Sequence, residues 1–282
     1  MKPVCLTIKS QIKLSGAGLH SGRTTTIQLL PKETVGIEFI RTDLSGAEPL
    51  TVMDIDVDGP PLRTLLKRGS AEIQTIEHLL SSAVALGVFA LTVECDGPEI
   101  PGLDGSAMPF AEAILRTGVR DIRGDPSAAA PVIIREPIRL GNEKVWLLAE
   151  PSETGEFVVG YKLHYENNRL AQGELEIVVT PETFRNQIAP ARTFCMKAEA
   201  DALLAMGFGK GATTENTLVI DGDSPLDTIL RYPDEPVRHK ILDLLGDLAL
   251  AGRPIVGKIT GCRSGHALNR RLAMTLRDQG VR

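Results

Sequence analysis

The sequence predicts an α+β fold made of two similar domains, residues 1–126 and 127–282, that face each other across a cleft. Three observations carry this expectation. The chain has 282 residues, too many for one small core and enough for two domains of about 100–150 residues each. Both halves mix short segments of alternating polarity, bounded by glycine turns, with longer amphipathic stretches. The halves also echo each other. EHLLSSAVALGVFALTVEC followed by DGSAMPFAEAIL, and RHKILDLLGDLALAGRPIVGKITGC followed by SGHALNRRLAMTL, both read helix, glycine, strand, loop, helix. From His78 to Ala107 is 29 residues and from His239 to Ala267 is 28. Chance repetition is the alternative to a shared plan.

In the first half, residues 7–14, 24–30 and 36–41 alternate as strands do. The turn at 15–22, SGAGLHSG, holds three glycines and His20, which asks for tight backbone geometry or close approach to another surface. No GKS/T follows, so a phosphate loop is a weak reading. Residues 75–86 read as a helix, with Thr75 as its cap and Ile76, Leu79, Leu80, Ala83 and Val84 as its apolar stripe. A strand at 90–95, a loop and a helix at 110–116 follow. The small, polar, proline-bearing stretch at 124–131 reads as a linker. In the second half, strands are expected at 131–140, 145–149, 157–163 and 174–179. A region of helical and glycine-rich character, 181–211, comes next. A helix is expected at 235–250, capped by Asp234 with Pro236 in its first turn. A strand at 255–260 and a helix at 267–277 close the chain.

The formal net charge of −5 argues against a general nucleic-acid binder, which shows a basic face. Cys5, Cys95, Cys195 and Cys262 are far apart in sequence and form no CxxC. They read as four reduced, buried thiols, in keeping with a reducing compartment. The amino-terminal stretch has no apolar run fit for a secretion signal, and no run approaches the ~20 residues of a membrane span. A cytoplasmic protein without stable membrane insertion is therefore expected, and a monomer.

One constellation carries chemistry. On a helical wheel, Asp243 falls about 40° and Asp247 about 80° from His239, opposite much of the apolar face of Val237, Ile241, Leu244 and Leu248. His239 and Asp243, four apart, share one face and are able to share one metal ion. A solvated polar face is the competing reading. Glu77-His78, near the start of the other helix, offers a third ligand in His78 and an adjacent carboxylate in Glu77. Three protein ligands with an open fourth position are the layout of a catalytic zinc site, and Glu77 suits a general base. His266, in a loop that opens a helix, is placed to donate to a leaving amine or a developing oxyanion, with Asp247 as the carboxylate that orients it and keeps it charged. A helix-capping role for His266 is the alternative. Thr193 offers a hydroxyl that carries no signal alone. Two histidines and an aspartate are also the ligand set of non-haem iron oxygenases. Spacing of four on a helix favours a hydrolase, and ligand types alone leave zinc against ferrous iron open.

GAGLHSG, IQTIEHLLSSAVALG, PEIPGLDGSAMPF, ARTFCM, GATTENTLVI, VRHKILDLLGDLAL and SGHALN run in this order over nearly the whole chain. In this combination the sequence resembles the UDP-3-O-acyl-N-acetylglucosamine deacetylases of lipid A biosynthesis. The resemblance implies two similar domains, each a small β-sheet packed against two helices and each carrying an insert. It implies a zinc-dependent deacetylase acting on acylated UDP-N-acetylglucosamine, with Zn2+ (Fe2+ as the alternative in the cell) on His78, His239 and Asp243. Glu77 falls on the general base, His266 on a cationic histidine with Asp247 as its partner, and Thr193 on a holder of the oxyanion. Lys240 falls near the substrate diphosphate and Phe194 beside the sugar. Tyr165 and Arg263 complete the expected substrate contacts, Tyr165 as a ring to stack on uracil. The insert at about 190–219, with Leu203, Leu204, Met206 and Phe208, is expected to form a passage for the acyl chain. The sequence departs from the family where some members carry a cysteine near the metal, for Leu62-Arg63-Thr64 stands there, and where some have His-Pro after the aromatic at Tyr165.

Overall fold

The computed structural model describes residues 5–60, 62–122, 130–166 and 168–279. The first half runs through β1 (Leu6–Ile8), β2 (Ile12–Ala17), β3 (Thr24–Pro31), β4 (Gly36–Arg41), β5 (Leu50–Thr51), β6 (Leu65–Arg68) and β7 (Ala71–Gln74). It continues with α1 (Glu77–Ala85), β8 (Ala90–Cys95), α2 (Met108–Thr117) and β9 (Val119–Asp121). Its main sheet has the order β2-β3-β8-β4-β5, with β8 antiparallel to β3 and parallel to β4.

The second half runs through β10 (Val132–Ile133), β11 (Ile138–Gly141), β12 (Trp146–Glu150), β13 (Phe157–His164), β14 (Gln172–Val178) and α3 (Pro181–Thr183). Then come β15 (Phe194–Met196), α4 (Lys197–Ala205), β16 (Leu218–Asp221), β17 (Ser224–Pro225), α5 (Glu235–Leu248), β18 (Ile255–Cys262) and α6 (His266–Gln279). Its main sheet has the order β11-β12-β18-β13-β14, with β18 antiparallel to β12 and parallel to β13. Strand for strand, the two orders are the same. The echo in sequence is therefore a repeated topology: helix, central strand inserted between the second and third strands, second helix. The inserts occupy corresponding places, between the fourth strand and the first long helix. In the first half this is the β6–β7 hairpin, and in the second it is the small sheet β15-β16-β17 with α4.

Strict alternation of buried and half-buried residues along β4 and β18 shows one sheet face turned to helices. α1 and α5 pack against each other, with α2 beside α1 and α6 beside α5. The central helices thus have a sheet behind and a helix in front. That is why their polar residues as well as their apolar stripes are buried. Gly246 sets the approach: a Cβ there would fall 2.2 Å from the Glu77 carbonyl oxygen, so α5 touches the start of α1 only because the side chain is absent.

Several expectations are corrected. Residues 7–14 form two strands, not one: the chain bends at 9–11, and β1 leaves the main sheet to pair with β9. Residues 131–140 also form two, β10 and β11, because Pro137 lacks an N–H for the ladder and restricts Glu136. Thr75 does not cap α1. It sits at φ 62° and its hydroxyl donates to Glu99 Oε1 at 3.2 Å. Asp234 makes no side-chain cap to α5, its carboxylate being taken by Arg238 Nε at 2.6 Å. Cys195 and Cys262 are half-buried rather than buried, and no disulfide joins the cysteines among the described residues. The boundary at 126/127 and residues 124–129 of the expected linker lie outside the described residues. No helix among those described is long and apolar enough to cross a membrane.

Candidate active site and metal centre

His78 lies in the first turn of α1, and His239 and Asp243 lie one turn apart on α5, facing it. One ligand atom from each lies within 4.8 Å of the others, and all three residues are buried. His239 Nδ1 stands 3.0 Å from the Ala191 carbonyl, which only accepts, so Nδ1 carries the hydrogen. With Nδ1 so engaged, Nε2 is the nitrogen left to offer a lone pair, and it stands 3.2 Å from Asp243 Oδ1, a carboxylate acceptor. His78 Nε2 is 4.0 Å from the same oxygen. Burial pulls the His78 pKa down to about 3, which keeps it neutral. Buried acceptors facing one another call for a positive centre between them. The residues present thus fit a divalent cation, and two imidazoles with one carboxylate are a set that both zinc and ferrous iron take.

The flanking charges are ordered. Burial pushes the Glu77 carboxyl up to about 7, against the pull of His266. Its Oε2 accepts the Thr64 N–H at 3.2 Å. His266 opens α6 with its ring turned to Asp247, Nδ1 lying 2.8 Å from Oδ2. Burial disfavours its cation, but the carboxylate of Asp247 overrides that and lifts the pKa to about 9. Lys240 Nζ is 2.6 Å from Asp243 Oδ2. Burial works against both charges, yet each holds the other ionised: Lys240 is raised, and Asp243 sits well below the usual carboxylate range.

These groups open onto a cavity of about 560 Å³. Thr193, Phe194, Tyr165 and Lys240 line it together with the three ligands, and so do Leu203, Leu204 and Met206 of the insert. Tyr165 and Phe194 meet edge to face, their centroids 6.2 Å apart. Phe208 packs against His20 at 6.0 Å and beneath the Arg63 guanidinium at 5.2 Å. Three expected residues do not line the cavity: Phe208, Asp247, which lies behind His266, and Arg263. The Arg263 backbone turns through φ 53°, its N–H donates to Lys162, and the residue is exposed.

Other residues of the site were not singled out from sequence. Glu99 is fully buried, and its carboxylate accepts the N–H groups of His20 and Ser21, each at 2.8 Å. A Cβ on Gly18 would strike Glu99 at 2.3 Å, so the glycine-rich turn is tight because it wraps this carboxylate and sets His20 on the cavity wall. Thr64 bonds both Glu77 and Asp247. Nothing in its local sequence marks it, since both partners lie on other elements.

The sequence profile of the UDP-3-O-acyl N-acetylglycosamine deacetylase family matches residues 6–278. A UDP-3-O-acyl-N-acetylglucosamine deacetylase of Synechocystis sp. is 39% identical over 276 residues, covering 96% of this chain and 98% of its own. Proteins of the same name from Anaeromyxobacter dehalogenans and Chlamydia pneumoniae are each 36% identical, covering 94% and 93% of this chain and 85% and 93% of theirs. On the matched span, the repeated topology and this similarity together, the chain belongs to the UDP-3-O-acyl N-acetylglycosamine deacetylase family.

Proposed function

We propose that this protein is a zinc-dependent amide hydrolase that removes the N-acetyl group of UDP-3-O-acyl-N-acetylglucosamine, the committed step of lipid A biosynthesis. The observation that carries the reading is the convergence of His78, His239 and Asp243 beside Glu77, in a cavity that Leu203, Leu204 and Met206 also line. His78, His239 and Asp243 would hold a divalent cation, which when bound would supply Lewis acidity and lower the pKa of a water toward about 7.

Glu77, with a pKa near 7, is matched to taking a proton from water as its oxygen attacks the acetyl carbonyl carbon. The Thr193 hydroxyl donates to the oxyanion that develops, and the His266 cation lies close by to balance it. When the C–N bond breaks, the amine nitrogen takes a proton from Glu77 or His266, leaving acetate and the free 2-amino sugar nucleotide. Lys240 is suited to the diphosphate and the Tyr165 ring to uracil, while Phe194 packs beside the sugar. Leu203, Leu204 and Met206 accept the acyl chain.

The test pairs metal content with acetate release from the acylated UDP-sugar. Wild-type protein should lose release on chelation and regain it with zinc or ferrous ion. Glu77→Ala should keep its metal and lose about 10²–10⁴ in turnover. Wild-type turnover by metal-loaded Glu77→Ala would sink the assignment of the base.

A further inference from the structure

One residue touches both carboxylates that flank the ligands. The Thr64 N–H donates to Glu77 Oε2 at 3.2 Å. Its hydroxyl donates to Asp247 Oδ1. The other oxygen of Asp247 accepts His266 Nδ1 at 2.8 Å and Asn269 Nδ2 at 2.9 Å. A continuous chain of hydrogen bonds therefore runs Glu77–Thr64–Asp247–His266, and every member is buried.

The chain crosses between the halves. Thr64 stands just ahead of β6 in the first half, whereas Asp247 and His266 belong to α5 and α6 of the second. Arg270, on α6 and fully buried, anchors the segment that delivers Thr64. Its guanidinium donates to the carbonyls of Val57, Gly59, Pro60 and Arg63, so the cation is spent on backbone oxygens of the opposite half. Thr64 itself does not line the cavity.

We propose that Thr64 is a positioning residue for the reaction: it fixes the Glu77 carboxylate and the Asp247–His266 pair relative to each other, without touching the substrate. The inference rests on the roles given above to Glu77, Asp247 and His266. Without the hydroxyl, Asp247 Oδ1 is a buried acceptor lacking this donor. The carboxylate is then free to turn, and the imidazole it orients turns with it. Substrate contacts are left in place, so the loss belongs in turnover.

Thr64→Val keeps the shape and removes the donor, and Thr64→Ser restores the donor. For Thr64→Val, kcat for acetate release should fall about 10–100-fold with metal content unchanged. KM should stay within about twofold, the pattern of an interaction that acts in the transition state. Thr64→Ser should recover kcat to within roughly threefold of wild type, a loss of well under one hydrogen bond. Wild-type kcat in Thr64→Val, a change confined to KM, or a serine variant as poor as the valine one overturns the proposal. If Thr64→Val fails to fold, Thr64→Ala is read by the same quantities. Unfolding of both would place Thr64 in the fold rather than in the reaction, which also overturns it. Glu77→Gln and His266→Gln run alongside separate the two levels. If they keep turnover, the underlying reading has failed. If they lose it while Thr64→Val does not, the positioning role alone is lost.

Discussion

The Ala191 carbonyl does more for the site than its place in a loop indicates. By accepting His239 Nδ1–H it fixes the tautomer that turns Nε2 toward Asp243. Its position is set by the next residue. Arg192 donates from its backbone N–H and its guanidinium to Glu235, and also to the Thr228 hydroxyl and the Ile229 carbonyl. The Thr193 N–H then donates to the Gly105 carbonyl at 2.8 Å, so three successive residues are pinned, the first two by α5 and the third by the loop at Gly105. Arg192 and Glu235 are both buried, with Nε and Oε1 2.9 Å apart. Removing one partner of such a pair leaves an uncompensated charge and costs about 3–5 kcal/mol. Glu235→Ala should therefore lower the melting temperature by on the order of 10 °C. It should also weaken metal affinity, because the carbonyl that orients His239 loses its support. Thermal melts and chelator competition check both effects, and a variant that melts lower yet holds metal as tightly as wild type would show that Ala191 is placed by something else.

At the scale of elements, the site is a helix crossing. α1 brings Glu77 and His78, α5 brings His239, Asp243 and Asp247, and Gly246 lets the two backbones meet. Alanine at 246 is a contest between two effects. It gains about 1 kcal/mol of helix propensity but places a Cβ 2.2 Å from a backbone carbonyl that has no side chain to move. Overpacking of that kind costs about 1–3 kcal/mol. Gly246→Ala is expected to be destabilised on balance and to lose metal affinity as α1 is pushed from α5. An alanine variant more stable than wild type, with metal affinity retained, would mean the helices have slack. These helices were legible in sequence because their apolar residues repeat at helical spacing and His239 and Asp243 sit one turn apart. Their burial on all sides was not, since a polar stripe opposite an apolar one looks the same whether it faces water or another helix. The strand breaks were missed where alternation continued through a chain that bends, as at 9–11, or through Pro137. Thr64 and Arg270 were invisible for a different reason: the Asp247 partner of Thr64 lies 183 residues away and the Arg270 partners 207 to 213, and no local pattern records a bond of that reach. Arg263 is exposed at a left-handed backbone position, which an arginine does not announce.

At the scale of the molecule, two copies of one topology are joined through their central helices, and the cation site is split between them. Neither half holds the three ligands alone, and the Arg270 clamp and the Thr64–Asp247 bond both cross the same seam. The apolar surface between α1 and α5 belongs to a core cluster that includes residues of both sheets. Separating the halves would expose that surface together with buried ionic groups, so unfolding one half removes the support of the other. The expected result is a single cooperative transition. Trp146, the one tryptophan, lies on β12 of the second half, so its fluorescence reports that half alone, whereas far-UV circular dichroism reports both. In urea the two signals should share one midpoint. Metal at about 100 times its Kd adds about 2.7 kcal/mol to the folded state, and because its ligands come from both halves, chelation should move both midpoints down together. A first-half transition seen by circular dichroism ahead of the Trp146 change, or a chelation shift in one probe only, would mean that the halves fold as independent domains and that the cation does not bridge them.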